Sequence, residues 1–329
     1  METREAELHK LTATGNLMPA FDRLFMISAW NDSGGAFTHR LFDGHPELFC
    51  WPFELQLGTD GSATRDLPWL RGKFRWPVFQ EPLAAPSQLF DAILDTELKE
   101  RLAFPEVSKF REYEMRVSLK DWRQEFCRRL GESPSRGDVV RCYMQTFFDV
   151  GTSAEATGRE CGVVGHCPNI AVDADRIIED FPEGRILHIV RSPLAGIVDM
   201  RRRNPLLTAL EYGTRWNMIN STAGTVRRCV PERMRIVRLQ DLVSETRTVM
   251  SELCEWLNIS FDDVLLSPTW RGKPIPLTGP FGGLRGASLQ YEVACARLVS
   301  EEDRRVLLEC TAEARSILDL DVLTLEDGL

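Results

Sequence analysis

The chain has no run approaching the roughly 20 apolar residues that a bilayer-crossing helix needs. Its opening segment, METREAELHK, has neither the basic start nor the apolar stretch of a secretory leader. An excess of positive charge is also missing. The formal net charge is -9, which argues against a broad surface for nucleic acid or another polyanion, because such partners are held by clustered Lys and Arg. Lysine almost vanishes after Lys120, Lys273 being the one exception. There is no CxxC pair and no His/Cys cluster at zinc spacing among Cys50, Cys127, Cys142, Cys161, Cys167, Cys229, Cys254, Cys295 and Cys310. These therefore read as reduced, mostly buried thiols, and no metal is expected. The GxxxxGK[ST] phosphate loop and internal repeats are absent too. What remains is a chain of 329 residues, 43% hydrophobic and 27% charged, the balance of an ordinary soluble globular protein. The expectation is a cytoplasmic protein with no membrane span that handles a discrete small molecule.

Apolar runs bounded by turns mark the strands. RLFMISAW (23–30), CGVVGHCP (161–168), GRILHIVR (184–191) and MRIVRLQDL (234–242) are compact enough to be strands buried on both faces. Between them lie helical patterns. GGAFTHRLFDGHP puts Phe37, Leu41 and Phe42 on one face and stops at Gly44 and Pro46. In SETRTVMSELCEWLN, Ser244 is the expected N-cap, and Met250, Leu253, Cys254 and Leu257 form a buried stripe. Residues 59–72 read as a loop rich in chain breakers. From about 86 to 160 apolar residues recur every three or four positions with no convincing strand, so this stretch reads as a helical insertion. Strands alternating with helices imply one three-layer α/β/α domain with a central parallel sheet, spanning residues 1–329. Ligands of such sheets gather at the carboxyl ends of the strands.

Several stretches converge on that rim. After the first strand, Asn31, Asp32, Ser33, Gly34, Gly35, Ala36 and Phe37 form a glycine turn entering a helix. The backbone N–H groups and the positive helix end of such a turn hold an anion without any side-chain charge. Alone, the turn would be only a sharp connection. Arg191 ends another strand, with Pro193 just beyond, and its guanidinium either forks onto a phosphate or pairs with a carboxylate at the sheet edge.

Together these stretches resemble the sulfotransferases that use 3'-phosphoadenosine 5'-phosphosulfate (PAPS). The segment NDSGGAFTHRLFDGHPE is similar to the family's first loop, helix and His-Pro, with Ser33, Gly34, His45 and Pro46 in place. Arg191-Ser192-Pro193 matches its strand-end Arg-x-Pro, RLQDLVSETRTVMSELCEWLNIS matches its EDLV segment, and PTWRGKPIPLTGPFGG (268–283) matches its Gly-Lys-Pro segment. The likeness covers residues 24–54 and 161–285. It implies a P-loop-like fold, PAPS as donor, adenosine 3',5'-bisphosphate as product and no metal. It also implies that the helical insertion lies on the acceptor side. Two departures stand out. The family's loop cation falls on Asp32, and a serine that binds the 3'-phosphate falls on Asp199. A carboxylate beside a phosphate repels it by roughly 1 kcal/mol or more. Cations to offset this are sought in Arg271 and Lys273 of the carboxyl-terminal motif, whose Gly272 is expected at the donor site with them, in Arg285, and in Arg201, Arg202 and Arg203. Arg40 is expected on a solvated surface.

The resemblance also implies a base. Glu54 lies close to where glutamate-using members place their catalytic carboxylate. His166, in VVGHCPN, matches a His-x-Pro that follows a strand. Glu54 ranks slightly ahead, because the family's lysine before that histidine is Val164 here. His39 and His188 read as structural, and His45 as packing a helix end. Trp51, Phe53, Trp69, Phe74, Trp76 and Phe79 either wall an acceptor pocket or simply pack the core. The resulting expectation is sulfuryl transfer to a hydroxyl, less readily an amine, of a small or medium-sized acceptor. Its rival is a protein on the same fold that binds nucleotide or a partner without turnover. A phosphotransferase reading is weaker, lacking the loop lysine.

Overall fold

The computed structural model describes residues 19–64, 67–80, 84–151, 156–276 and 288–318. Five parallel strands run in the order β2-β3-β1-β4-β5. They are β1 (Leu24–Ala29), β2 (Leu48–Glu54), β3 (Gly162–His166), β4 (Arg185–Val190) and β5 (Met234–Arg238). Helix α1 (Gly35–Phe42) follows β1, and four helices, α2 (Pro86–Ala92), α3 (Thr96–Ala103), α4 (Leu119–Arg129) and α5 (Arg136–Gly151), separate β2 from β3. Then come α6 (Ala174–Asp180), α7 (Pro193–Arg203), α8 (Ala209–Cys229), α9 (Leu239–Ser244) and α10 (Thr246–Leu257). A short antiparallel pair, β6 (Thr269–Trp270) and β7 (Lys273–Pro274), precedes α11 (Leu289–Arg297), α12 (Glu301–Cys310) and α13 (Ala312–Leu318).

Side-chain alternation along β1 builds the layers. Leu24 and Met26 enter one core, with Trp122, Tyr143 and Phe147 of the insertion, while Phe25, Ile27 and Ala29 enter another. That second core holds Phe37, Leu41 and Phe42 of α1 and the expected stripe of Met250, Leu253, Cys254 and Leu257. Helix α1 is covered on every side, Thr38, His39 and Arg40 included. Trp51, Phe53 and Trp76 are fully packed core residues. Trp51 lies 4.7 Å from the Phe147 ring and 5.9 Å from Tyr143, which fastens the insertion to β2. All nine cysteines are free.

Two local expectations change. Strand β2 is absent from the sequence reading because Pro52 interrupts its pattern, yet β2 is the sheet's edge strand, where a missing N–H leaves no ladder bond unmade. Ser244 does not cap α10. It closes α9, its hydroxyl donating to the Gln240 carbonyl at 2.9 Å, and Glu245 takes the cap position. The apolar run after Met234 leaves the sheet at Arg238, because Leu239 and Leu242 bury at helical spacing.

Candidate active site

The parallel register brings the strand ends to one rim. Ile27 lies opposite His166, Ala29 opposite Ile189, and Glu54 opposite His166. At that rim the chain turns sharply after β1. The Ser33 N–H donates to the Trp30 carbonyl at 3.0 Å, and the Thr38 N–H to the Gly34 carbonyl at 2.9 Å. Asp32 and Gly34 both sit in the left-handed region, at φ 60° and 91°, which only glycine adopts without strain. A Cβ on Gly34 would come within 2.5 Å of Leu239, and one on Gly35 within 2.3 Å of His166 Nε2. The two glycines therefore let β3 and the end of β5 close directly under the turn. Asn31, Asp32, Gly34 and Ala36 are half-buried there, whereas Ser33, Gly35 and Phe37 are buried.

The charge at the turn comes from α7. Arg203 forms an ion pair with the Asp32 carboxylate. Arg191, one residue past β4, is buried and heavily engaged. Its Nε donates to both Glu292 oxygens at 2.8 and 2.9 Å, and Nη1 donates to the Asp32 carbonyl at 2.6 Å. The same Nη1 lies 2.8 Å from Asp199 Oδ2. Asp199 also accepts from the Tyr291 hydroxyl at 2.5 Å and lies 3.1 Å from Arg202. Burial alone would lower the Arg191 pKa, but the Glu292 and Asp199 carboxylates outweigh it and hold the guanidinium protonated. Arg191, Arg202 and Arg203 thus face Asp32, Asp199 and Glu292, a balanced set of charges. Of the two readings of the strand-end arginine, pairing with carboxylates is the arrangement present. Glu292 lies 101 residues further along the chain, on α11, and nothing in the local sequence announces it.

The remaining cations go elsewhere. Arg201 points to Asp303, at 2.6 Å. Arg40 is not on a solvated surface: it is fully buried, donating to the Trp51 carbonyl at 2.9 Å and lying 3.4 Å from Asp43. Arg271, Gly272 and Lys273 form the β6–β7 turn, pinned by the Gly272 N–H donating to Asp43 Oδ2 at 3.2 Å and the Thr269 hydroxyl donating to the Asp43 carbonyl at 2.6 Å. Arg271 Nη1 lies 3.9 Å from Glu114. Asp43 closes the carboxyl end of α1, whereas the glycine turn opens its amino end. The structure therefore places this motif about 12 Å along the helix from the turn. Arg285 falls outside the described residues.

On the other flank stand the two base candidates. His166 is buried, its Nε2 has no hydrogen-bond partner, and it faces Gly35. Burial, helped by the nearby Arg40 charge, pushes its pKa down to about 3, so the ring is neutral. Glu54 is half-buried at the end of β2. Burial and then the Glu97 charge raise its pKa, opposed by a hydrogen bond from Gln56 and by Lys109 and Lys73. A half-exposed carboxylate with a raised pKa suits a general base. The other histidines are committed to packing. His188 bridges Ser28 at 3.1 Å and Asn220 at 3.0 Å, and His45 Nε2 donates to the Ser260 carbonyl at 2.9 Å. His39 is buried beside Arg40, with burial lowering its pKa. Among the described residues, no group of three or more His, Cys, Asp or Glu side chains is arranged to hold a metal ion, and no helix is long and apolar enough to cross a membrane.

The rim thus carries a glycine turn opening a helix on one side and, on the other, neighbouring strand ends bearing Glu54 and the buried, neutral His166. The sulfotransferase family pattern matches residues 25–263, which takes in both flanks, and the chain belongs to that family. Two solved structures show the same fold. The sulfotransferase domain from the Synechococcus PCC 7002 olefin synthase is similar at a TM-score of 0.52 and 17% identity, covering 88% of this chain and 94% of that one. The sulfotransferase domain from the curacin biosynthetic pathway is similar at a TM-score of 0.52 and 14% identity, covering 89% and 98%. No curated protein sequence matches the chain.

Proposed function

We propose that the chain moves a sulfuryl group from PAPS to a hydroxyl, less readily an amine, of a small or medium-sized acceptor, with Glu54 as base. The supporting observation is the register that seats Glu54 beside His166 while His166 packs under Gly35. It puts a carboxylate on the same rim as a turn suited to an anion, with only β3 between their strands. In this reading the acceptor oxygen attacks sulfur in line, its proton passes to Glu54, and the bond from sulfur to the bridging oxygen breaks. Adenosine 3',5'-bisphosphate leaves. The N–H groups at Gly35 and Ala36 and the positive end of α1 steady the charge growing on the leaving oxygens. His166, neutral and buried, shapes the floor beneath them. No metal enters the reaction.

The test is calorimetry with adenosine 3',5'-bisphosphate together with an assay of PAPS consumption. Binding with consumption, and a loss of about a hundredfold or more in consumption for Glu54→Gln, is the expected result. Failure to bind the bisphosphate removes the donor assignment. The charge balance around Arg191 favours a second reading, in which nucleotide binds without turnover. Binding with no consumption in the presence of varied hydroxyl and amine acceptors would select it.

A further inference from the structure

Glu54 is the end of a chain of side chains that leads away from the rim. Gln56, two residues past the end of β2, is fully buried, and its Nε2 donates to Glu54 Oε2 at 3.3 Å. The other end of the amide accepts from the Thr96 hydroxyl, at 3.1 Å. Thr96 is the first residue of α3, an exposed position whose place is set by Asp95, fully buried and accepting from the Leu98 N–H. The polarity of this chain is determined. When Glu54 is ionised its carboxylate only accepts, so the amide turns its NH₂ to Glu54 and its oxygen to Thr96, and the hydroxyl donates. Backbone bonds hold both ends: the Leu55 N–H donates to the His166 carbonyl at 2.7 Å and the Leu94 N–H to the Gly58 carbonyl at 2.7 Å.

We propose that Gln56, oriented by Thr96, is a positioning residue that holds the Glu54 carboxylate in its ionised form and in one rotamer at the rim. This rests on Glu54 being the base of the proposed reaction. A buried amide with both ends engaged fixes the carboxylate more tightly than water would. It also opposes the two influences that protonate Glu54, burial and the neighbouring Glu97. The other charged and titratable groups facing Glu54 are Lys73 before the insertion, Lys109 in the α3–α4 connection, and Cys167 beyond β3, beside its sheet neighbour His166. Lys109 is itself paired with Glu97. Gln56 is thus the neutral hydrogen-bond donor to Glu54, one whose effect does not change with pH.

The experiment titrates Glu54 itself, by carbon-13 NMR of protein labelled at the glutamate carboxyl carbon, with Glu54→Gln identifying the signal. Gln56→Leu should raise the Glu54 titration midpoint by about one pH unit, as expected for loss of one hydrogen bond to a charged group. Thr96→Val should raise it in the same direction by less, and Thr96→Ser should leave it in place. Because Thr96 is exposed, its variants fold even if Gln56→Leu does not. A midpoint unmoved by Thr96→Val, or moved equally by Thr96→Ser, overturns the proposal. PAPS consumption measured on the same variants separates this from the wider reading. Consumption that falls as the midpoint rises joins the two, whereas a shifted midpoint in a protein that never consumes PAPS leaves the positioning role standing and removes the proposed reaction.

Discussion

The two flanks of the rim handle charge in opposite ways. Around Arg191, five further charged groups from the turn, α7 and α11 form a network of ion pairs that holds the guanidinium protonated, although burial raises the Glu292 pKa. Around Glu54 and His166 charges are few, and burial moves the titration of each group toward its neutral form. A paired cluster keeps its charge over a wide pH range but is damaged when one member is removed, because the partner stays buried and unpaired. A group pushed toward its neutral form by burial responds to pH and to the hydrogen bonds it keeps. The flank facing the glycine turn is therefore electrostatically stiff, and the flank facing the insertion is tunable.

The contrast is broken most strongly at Arg191. Arg191→Ala leaves Glu292 buried without its cation, while Asp199 keeps Arg202, and should cost about 3–5 kcal/mol of stability, read from the midpoint of a urea unfolding curve. The variant is therefore not a clean test of nucleotide binding, and a loss below 1 kcal/mol would show that the cluster is loosely held. His166 sharpens the other side. Its folded pKa lies near 3, below the value near 6.5 in the unfolded chain. Its contribution is thus fully present above pH 6.5 and is lost as pH falls toward 3. Between about pH 7.5 and about pH 5 the wild type should lose about 2 kcal/mol through this residue, and His166→Asn should lose that much less over the same interval. An equal loss in both would mean the ring is already charged in the fold. The smallest effect is expected at the turn. Asp32→Asn keeps a residue that tolerates positive φ and releases Arg203 from its ion pair. Affinity for adenosine 3',5'-bisphosphate should rise about fivefold, or ~1 kcal/mol. Weaker binding would show that the carboxylate itself orders the turn.

The sheet was legible where strands are buried on both faces. Phe25, Ile27, Ile186 and Leu187 sit in compact apolar runs because β1 and β4 are buried on both faces. Strand β2 hid because an edge position tolerates Pro52 and ends in Glu54. Glu54 came from the family resemblance, whereas the turn from Asn31 to Phe37, and His166 and Arg191 as residues at strand ends, could be singled out from local pattern. Glu292, Tyr291 and Gln56 could not. Glu292 reaches Arg191 across 101 positions, and Gln56 gains its role from Thr96, 40 positions away. Arg40 was misplaced for a related reason. The pattern shows one apolar face of α1, whereas the β6–β7 turn and β2 cover the face bearing that guanidinium, whose carbon lies 5.6 Å from the Trp270 ring.

From the order of residues alone came the parallel α/β architecture, the helical pattern from about 86 to 160 and the glycine turn. All of these depend on contacts a few positions apart, where periodicity and backbone preference decide. Which charges meet was decided only when the chain closed on itself. The α11 helix brought Glu292 to Arg191, α7 brought Arg203 to Asp32, and α3 set the amide beside Glu54. The strength of a charge depends on the dielectric and the partners around it, and both are properties of the packed molecule.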